Sequence, residues 1–358
     1  MSLYDKPVAA EKFRRFYKAV KANNGHMGQN VRAVHLNYNN VCNFKCDFCY
    51  TNAPNQPNAR IKLDIDAIAS VADQAHELGY YEFDLQGGEL LINVDKTLEL
   101  IRALGPERFF VIMTTNGWFV TEEVANKLAR AGMDRLSVSI TGLDGEQHDT
   151  FMKKKGAHER ALNALKFAKQ AGMLAVPTIA VGHYNAQSKE LEKFCDFSAE
   201  RGYLTHFNLA MPSGCWKDNA DIMIDADDRA RIDELRKKYD NIIYNMWNPF
   251  DRNKEELLGC NTVNRLYITP KGDVFPCPFL HIKIGNIHEQ RLRDIVDYGF
   301  SIKYFNEYNS KCLAGEDTDF LDRFTRTGMS IFQPLDAHEI FAEEDYISAP
   351  IDKLIAQL

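Results

Sequence analysis

The chain has no apolar run long enough to cross a bilayer, and its start, MSLYDKPVAAEKFRRF, has no signal-peptide core. Neither a membrane partner nor export is expected, and the expected compartment is the cytoplasm. A surplus of positive charge is also missing: 43 Lys and Arg stand against 50 Asp and Glu, a net charge of −7. A general polyanion binder needs a cationic face to neutralise phosphates, so nucleic acid is not an expected partner. The same balance leaves room for a local basic pocket that takes a phosphorylated substrate. Compositional bias is absent too; 45% hydrophobic and 26% charged residues are the profile of a globular chain. What the chain does have is cysteine, eight of them, at 42, 46, 49, 195, 215, 260, 277 and 312. In a reducing compartment these read as metal ligands or catalytic thiols rather than disulfides.

One phrase recurs between residues 31 and 216: an amphipathic helix, a glycine, then a short and largely apolar strand. It reads AHELGYYEFDL, IRALGPERFFVIM, LARAGMDRLSVSI, AKQAGMLAVPTIAV and SAERGYLTHFNLA. Gly79, Gly105, Gly132, Gly172 and Gly202 suit the left-handed position that ends a helix. With the opening strand VRAVHLNY this makes six strands separated by helices, a spacing that fits crossovers in a parallel sheet. Apolar strands are expected where both sheet faces are covered. Six units are too few for a closed eight-stranded barrel. A partial (β/α)6 TIM-like barrel or a doubly wound open sheet follows, and the motifs below favour the barrel. In either, chemistry gathers at the carboxyl ends of the strands.

The remaining organisation is simpler. Residues 1–30 read as an N-terminal helical segment and 217–254 as a helical connector, in which Asp225 is a candidate N-cap. Residues 255–317 read as a small β-hairpin and helix module, turning at Pro270–Asp273. Residues 318–358 form a mixed, acidic tail from which no chemistry is read.

NYNNVCNFKCDFCY places Cys42, Cys46 and Cys49 within eight residues, as Cys-x3-Cys-x2-Cys. Thiolates at this spacing let one loop wrap a single inorganic centre. A [4Fe–4S] cube held by three cysteines keeps one iron open for a further ligand. A buried cysteine stripe on a helix is a poor rival, given the polar neighbours Asn39, Asn40, Asn43, Lys45 and Asp47. A zinc site would want four local ligands.

Here the chain resembles the radical S-adenosylmethionine (SAM) superfamily, whose hallmark is Cys-x3-Cys-x-aromatic-Cys after the first strand. Phe48 fills the aromatic place, and the resemblance implies that its backbone helps to seat adenine. Gln86-Gly87-Gly88-Glu89 resembles the family's Gly-Gly-Glu, where the strand edge with Glu89 would accept hydrogen bonds from the SAM ammonium group. Thr115-Asn116-Gly117 resembles the family's third-strand turn and also has a plain turn reading. In LSVSI one of Ser137 and Ser139 is expected to face inward towards SAM, and Ser139 is taken as the one. Two departures stand out: Thr141 replaces a common acid, and Met152-Lys153 replaces an arginine that pairs with the SAM carboxylate. Lys153 could supply charge there but no bidentate fork. The resemblance implies that SAM, on the open iron of the reduced cluster, splits to methionine and a 5′-deoxyadenosyl radical that takes hydrogen from a substrate.

Cys260, Cys277 and Cys312, with Gly272, resemble the twitch or SPASM region that holds an auxiliary [4Fe–4S] cluster in many of these enzymes. The dense cysteine run for a second auxiliary cluster is missing, so one is expected. Its fourth ligand is substrate, water or a side chain, with Cys215 ahead of Glu316 and Asp317. Cys215 has a second reading as a hydrogen-atom donor, and Cys195 is expected to be buried and inert. The expected reaction is oxidation or epimerisation of a small polar metabolite such as a sugar, aminocyclitol or nucleoside, with flavodoxin or ferredoxin as electron donor. A peptide- or protein-modifying maturase is the alternative, disfavoured by the short segment before the first strand. The molybdenum-cofactor cyclase fits less well, because its auxiliary cysteines are spaced more tightly. A non-enzymatic zinc-binding module is the alternative from another class.

Overall fold

The computed structural model describes residues 3–325 and 330–347. The end of the acidic tail, 348–358, lies outside the described residues. Six strands run as the spacing predicts: β1 (Ala33–Asn37), β2 (Glu82–Gln86), β3 (Phe110–Thr115), β4 (Arg135–Ser139), β5 (Leu174–Val181) and β6 (Thr205–Leu209). Each pairs in parallel with the next. The helix α1 (Pro7–Ala22) precedes them, and α2 (Ile65–Leu78), α3 (Val94–Ala103), α4 (Glu122–Arg130), α5 (Gly145–Phe151), α6 (Ala157–Gln170) and α7 (Lys189–Glu200) lie between them. The start of α2 is capped by Asp64, whose carboxylate accepts from the Ala67 amide at 2.7 Å, and its end by Gly79 at φ +94°. All five of the predicted helix-ending glycines have positive φ.

The sheet does not stop at six strands. After α8 (Ala226–Lys238), which Asp225 caps as predicted, β7 (Ile242–Ile243) adds in parallel to β6. At the opposite edge β8 (Arg265–Ile268) adds in parallel to β1, and β9 (Asp273–Phe275) folds back on it through the predicted turn. The hairpin is therefore part of the barrel wall rather than a free-standing module. It covers the β1 edge, which would otherwise present unpaired backbone. One core runs through both parts, with Leu36, Phe83 and Phe207 in the same buried cluster as Leu266, Leu280 and Phe305.

The expectation of largely apolar strands needs correcting. Phe83 and Leu85, Leu136 and Val138, and Phe207 are buried in the core with the helices. Their alternates Asp84 and Gln86, Ser137 and Ser139, and Asn208 line an interior cavity instead. Successive side chains on a strand point to opposite faces, so one face is core and the other surrounds a polar space. The helix α1 is tied to the amino ends of these strands. Lys12 Nζ donates to the carbonyls of Tyr80 (2.9 Å) and Arg108 (3.1 Å), and Lys6 Nζ to that of Gly132 (2.8 Å). These carbonyls immediately precede β2, β3 and β4.

Candidate active site

A cavity of about 220 Å³ extends from the loop after β1 to the amino ends of the strands. Cys42, Cys46 and Cys49 line its mouth. Their loop is held from two sides. On one side the Gly88 amide donates to the Asn39 carbonyl and the Glu89 amide to that of Val41, both at 2.8 Å. On the other the Cys215 amide donates to the Cys49 carbonyl at 2.9 Å. Both clamps need glycine: a Cβ on Gly88 would lie 2.2 Å from the Val41 oxygen, and one on Gly214 (φ +61°) 2.2 Å from the Cys49 oxygen.

Gly87, Gly88, Phe48, Asn116 and Ser139 also line the cavity, while Glu89 does not. The buried Glu89 carboxylate accepts from Thr115 Oγ1 (2.9 and 3.0 Å) and from the amides of Asn116 (2.8 Å) and Leu91 (3.1 Å). Its side chain is thus committed to the turn after β3 and is not aimed at a ligand. From that turn Asn116 Nδ2 donates to Asn43 Oδ1 at 2.9 Å, which carries the restraint into the cysteine loop. Thr115–Gly117 is therefore both turn and cavity wall. Ser137 and Ser139 both line the cavity, contrary to the expectation of one, because residues two apart on a strand share a face. Lys153 is half-exposed, pairs with Asp47 at 2.9 Å and is not among the lining residues. The arginine's role at that position is not taken over by this lysine.

Aromatic rings ring the mouth. Phe48 stacks on Phe151 with centroids 5.5 Å apart, and Trp216 lies within 6.1 Å of both. Tyr184 closes the group at 5.8 Å from Trp216.

Cys260, Cys277 and Cys312 line a second, smaller cavity that shares Asn208, Met211, Asn245 and Arg265 with the first. The Cys312 thiol lies against Cys260 and favours the thiolate there. Cys215 does not join this set. Its sulfur contacts Cys49 and lies 3.2 Å from Asn52 Oδ1, and it lines neither cavity. Cys215 thus packs against the cysteine loop beside Cys49, apart from the second set. The weaker candidates are committed as well, Glu316 to Arg229 and the Cys312 amide, and Asp317 to the cap of the helix Thr318–Phe324. Cys195 is buried in α7, and burial raises its thiol to about 12.

The depth of the main cavity is charged. Arg265 meets Asp84 Oδ2 at 3.5 Å and hydrogen-bonds His35, and Arg135 lies 3.3 Å from His206 Nδ1. Burial, with the arginines close by, holds His35 and His206 well below the usual imidazole range and therefore neutral. Sequence reasoning passed over His206 and these arginines, although ionic residues at alternate strand positions are the signal that a strand face is not core. Burial also raises Asp84 from 3.8 to about 6, against the pull of Arg265. The folded carboxyl then holds its proton more tightly than the unfolded one. Its contribution to stability is complete below about pH 4 and is lost as pH rises through about 6. Asp84→Asn, neutral throughout, should gain on the wild type by about 3 kcal/mol between pH 4 and pH 7. Denaturant midpoints at the two pH values check this.

The donor set suits an iron–sulfur cube better than a single ion. Burial pushes the Cys42 thiol up to about 12, so a thiolate there needs a cationic centre beside it. Among the described residues, the side-chain trio with ligand atoms all within 4.8 Å is His183, Asp225 and Asp228, not either cysteine triplet. Zinc, with bonds of about 2.3 Å, would draw its sulfurs to about 3.8 Å. At Cys42, Cys46 and Cys49, thiols set more widely than that fit a larger centre.

Residues 36–198 match the family model of the radical SAM superfamily, and residues 260–314 that of the SPASM iron–sulfur cluster-binding domain. The chain carries a radical SAM domain. It is 28% identical over 279 residues to an AdoMet-dependent heme synthase of Methanosarcina barkeri, covering 71% of this chain and 78% of the relative. It is 26% identical over 268 residues to a probable GTP 3′,8-cyclase of Methanocaldococcus jannaschii, covering 70% and 86%. The SuiB structure of Streptococcus suis bound to S-adenosylmethionine shares the fold, with a TM-score of 0.59 and 17% identity over 79% of this chain and 68% of its own. A radical SAM domain brings a [4Fe–4S] cluster and SAM, and the SPASM domain brings an auxiliary iron–sulfur cluster. No described helix of this radical SAM enzyme is long and apolar enough to cross a membrane.

Proposed function

We propose that this enzyme cleaves SAM reductively and draws a hydrogen atom from a small polar metabolite, a sugar, aminocyclitol or nucleoside. Oxidation or epimerisation follows with the help of the auxiliary cluster. The observation that carries this reading is one cavity with ionic side chains at its floor, three thiols at its mouth and a second thiol set on its flank. A small cavity with a few ionic and amide groups at its depth suits a compact molecule with polar groups at one end. The names of the heme synthase and GTP cyclase relatives point to small molecules as well.

Cys42, Cys46 and Cys49 would hold the SAM-binding cluster, and Cys260, Cys277 and Cys312 the auxiliary one. Gly87, Gly88, Phe48, Asn116 and Ser139 would line the SAM subsite. When bound, these groups supply a 5′-deoxyadenosyl radical at the mouth and an electron sink on the flank. The chain's own contribution is orientation and dryness: Asn116 and Glu89 brace the cysteine loop, and Phe48, Phe151, Tyr184 and Trp216 keep water from the mouth. Among the described residues, no Cys, His, Asp or Glu lines the second cavity besides its three cysteines, which leaves the fourth position to substrate or solvent. A flavodoxin or ferredoxin would supply the electron.

Anaerobic incubation of reconstituted protein with SAM, dithionite and deuterated candidate metabolites tests the reading. Deuterium in 5′-deoxyadenosine, read by mass spectrometry, identifies the substrate. Absence of any 5′-deoxyadenosine overturns the radical chemistry, and label arriving only from peptides overturns the small-metabolite assignment.

A further inference from the structure

The floor of the cavity carries more positive charge than its own acids can balance. Three arginines reach it from separate strands: Arg32 just before β1, Arg135 at the start of β4 and Arg265 at the start of β8. Two acids oppose them, Glu82 and Asp84 on β2. The two histidines at this level are neutral, as argued above, so the sum is one positive charge in a buried space.

Arg135 feels both acids, Glu82 and Asp84, but hydrogen-bonds neither. Arg265 has Asp84 within 3.5 Å, and Arg32 lies close to Glu82 and the Tyr81 hydroxyl. The partners of Arg135 are the Ser137 hydroxyl, 3.0 Å from Nε, and the His206 ring nitrogen, 3.3 Å from a terminal nitrogen. Neither is an acid. Polar atoms also go unmet at this level: among the described residues, Arg32 Nε and Asp84 Oδ1 are buried with no hydrogen-bond partner. A desolvated guanidinium that shares two acids with two other arginines is costly to keep. The same geometry is favourable once a ligand brings an oxyanion, because the planar fork matches carboxylate and phosphate oxygens in pairs.

We infer that the floor of the cavity, with Arg135 at its centre, binds an oxyanion group of the substrate, a carboxylate or a phosphate. The inference rests on the proposed function for the identity of the cavity as the substrate site. Arg135, Ser137 and Ser139 stand in line on one face of β4, so the floor lies about 13 Å below the SAM end of that strand. The substrate is then an acid anchored by one end, with its reacting carbon presented upward to the cysteine loop. Thr178 and Asn208 are in reach of its middle from β5 and β6.

Calorimetric titration of the reconstituted, SAM-loaded protein tests this with inorganic phosphate and glutarate as probes and glycerol as the neutral control. At least one anion should bind, and glycerol should not; which anion binds tells phosphate from carboxylate. Arg135→Gln should weaken that binding tenfold or more, Arg135→Lys by less, and the surface change Lys193→Ala not at all. If Arg135→Gln fails to fold, Arg135→Lys against wild type carries the comparison. Failure of both anions to bind the wild type, or equal binding by every Arg135 variant, overturns the inference. Uncoupled 5′-deoxyadenosine formation by the wild type, measured in parallel, reports on the radical chemistry alone. An anion result is thereby separated from failure of the proposed function.

Discussion

Alanine at Cys42, Cys46 or Cys49 is expected to abolish 5′-deoxyadenosine formation, whereas alanine at Cys260 or Cys277 should leave part of it. The difference follows from placement. The first three thiols line the mouth of the main cavity, and the second set lines a separate space that touches the first through shared walls. Losing a group that only supports a metal site costs about 10–100-fold. Losing one of three ligands to a cluster with an open iron should exceed that and empty the site. Iron and sulfide per chain, measured after anaerobic reconstitution, should fall for either set. The cleavage assay should fall to background only for the first. Equal loss of cleavage in both sets would mean that the two centres do not divide the work as their positions imply.

Gly88→Ala should be nearly as severe, for a steric reason. The new methyl would lie 2.2 Å from the Val41 carbonyl oxygen, 2.4 Å from its carbon and 2.8 Å from the carbonyl carbon of Asn40, all backbone atoms. A side chain could rotate away; the cysteine loop cannot do so without breaking the hydrogen bonds that the Gly88 and Glu89 amides donate to it. Overpacking typically costs 1–3 kcal/mol, and each lost hydrogen bond about 1 more, so about 3 kcal/mol or above is expected. Gly172→Ala is the matched comparison. Its Cβ would meet nothing within 4 Å, and only its φ of +82° opposes the change. That variant should lose about 1 kcal/mol and keep its iron. Thermal unfolding with iron content separates the two; iron retained by Gly88→Ala would show that the clamp is not what shapes the loop.

Glu89 shows how motif and geometry divide. The Gly-Gly-Glu run is visible as three letters, and its place at the tip of β2 follows from the helix–glycine–strand rhythm. Which of the three faces the ligand does not follow. The glycines reach the cavity because they have no side chain to keep them from the loop backbone. The glutamate turns the other way because Thr115 and the Asn116 amide, on the next strand, offer it donors. Cys215 is the opposite case. Its place after β6 left ligand, donor and packing readings open, and the backbone bond to Cys49 sets it against the cysteine loop, away from the second set.

The chain's local features were determined by the sequence alone. Three cysteines within eight residues can wrap one centre whatever the rest of the chain does, and glycines after helices set the βα repeat by their own φ preference. Those signals act over a few residues, which is why they can be read without coordinates. The lining of the cavity is a different kind of fact. Arg265 and His35 are 230 residues apart and meet only because β8 pairs with the outer edge of β1. A strand residue's neighbours are set by sheet closure and by which face turns inward, and both depend on every strand at once. The charge of the substrate space was therefore for the tertiary structure to decide.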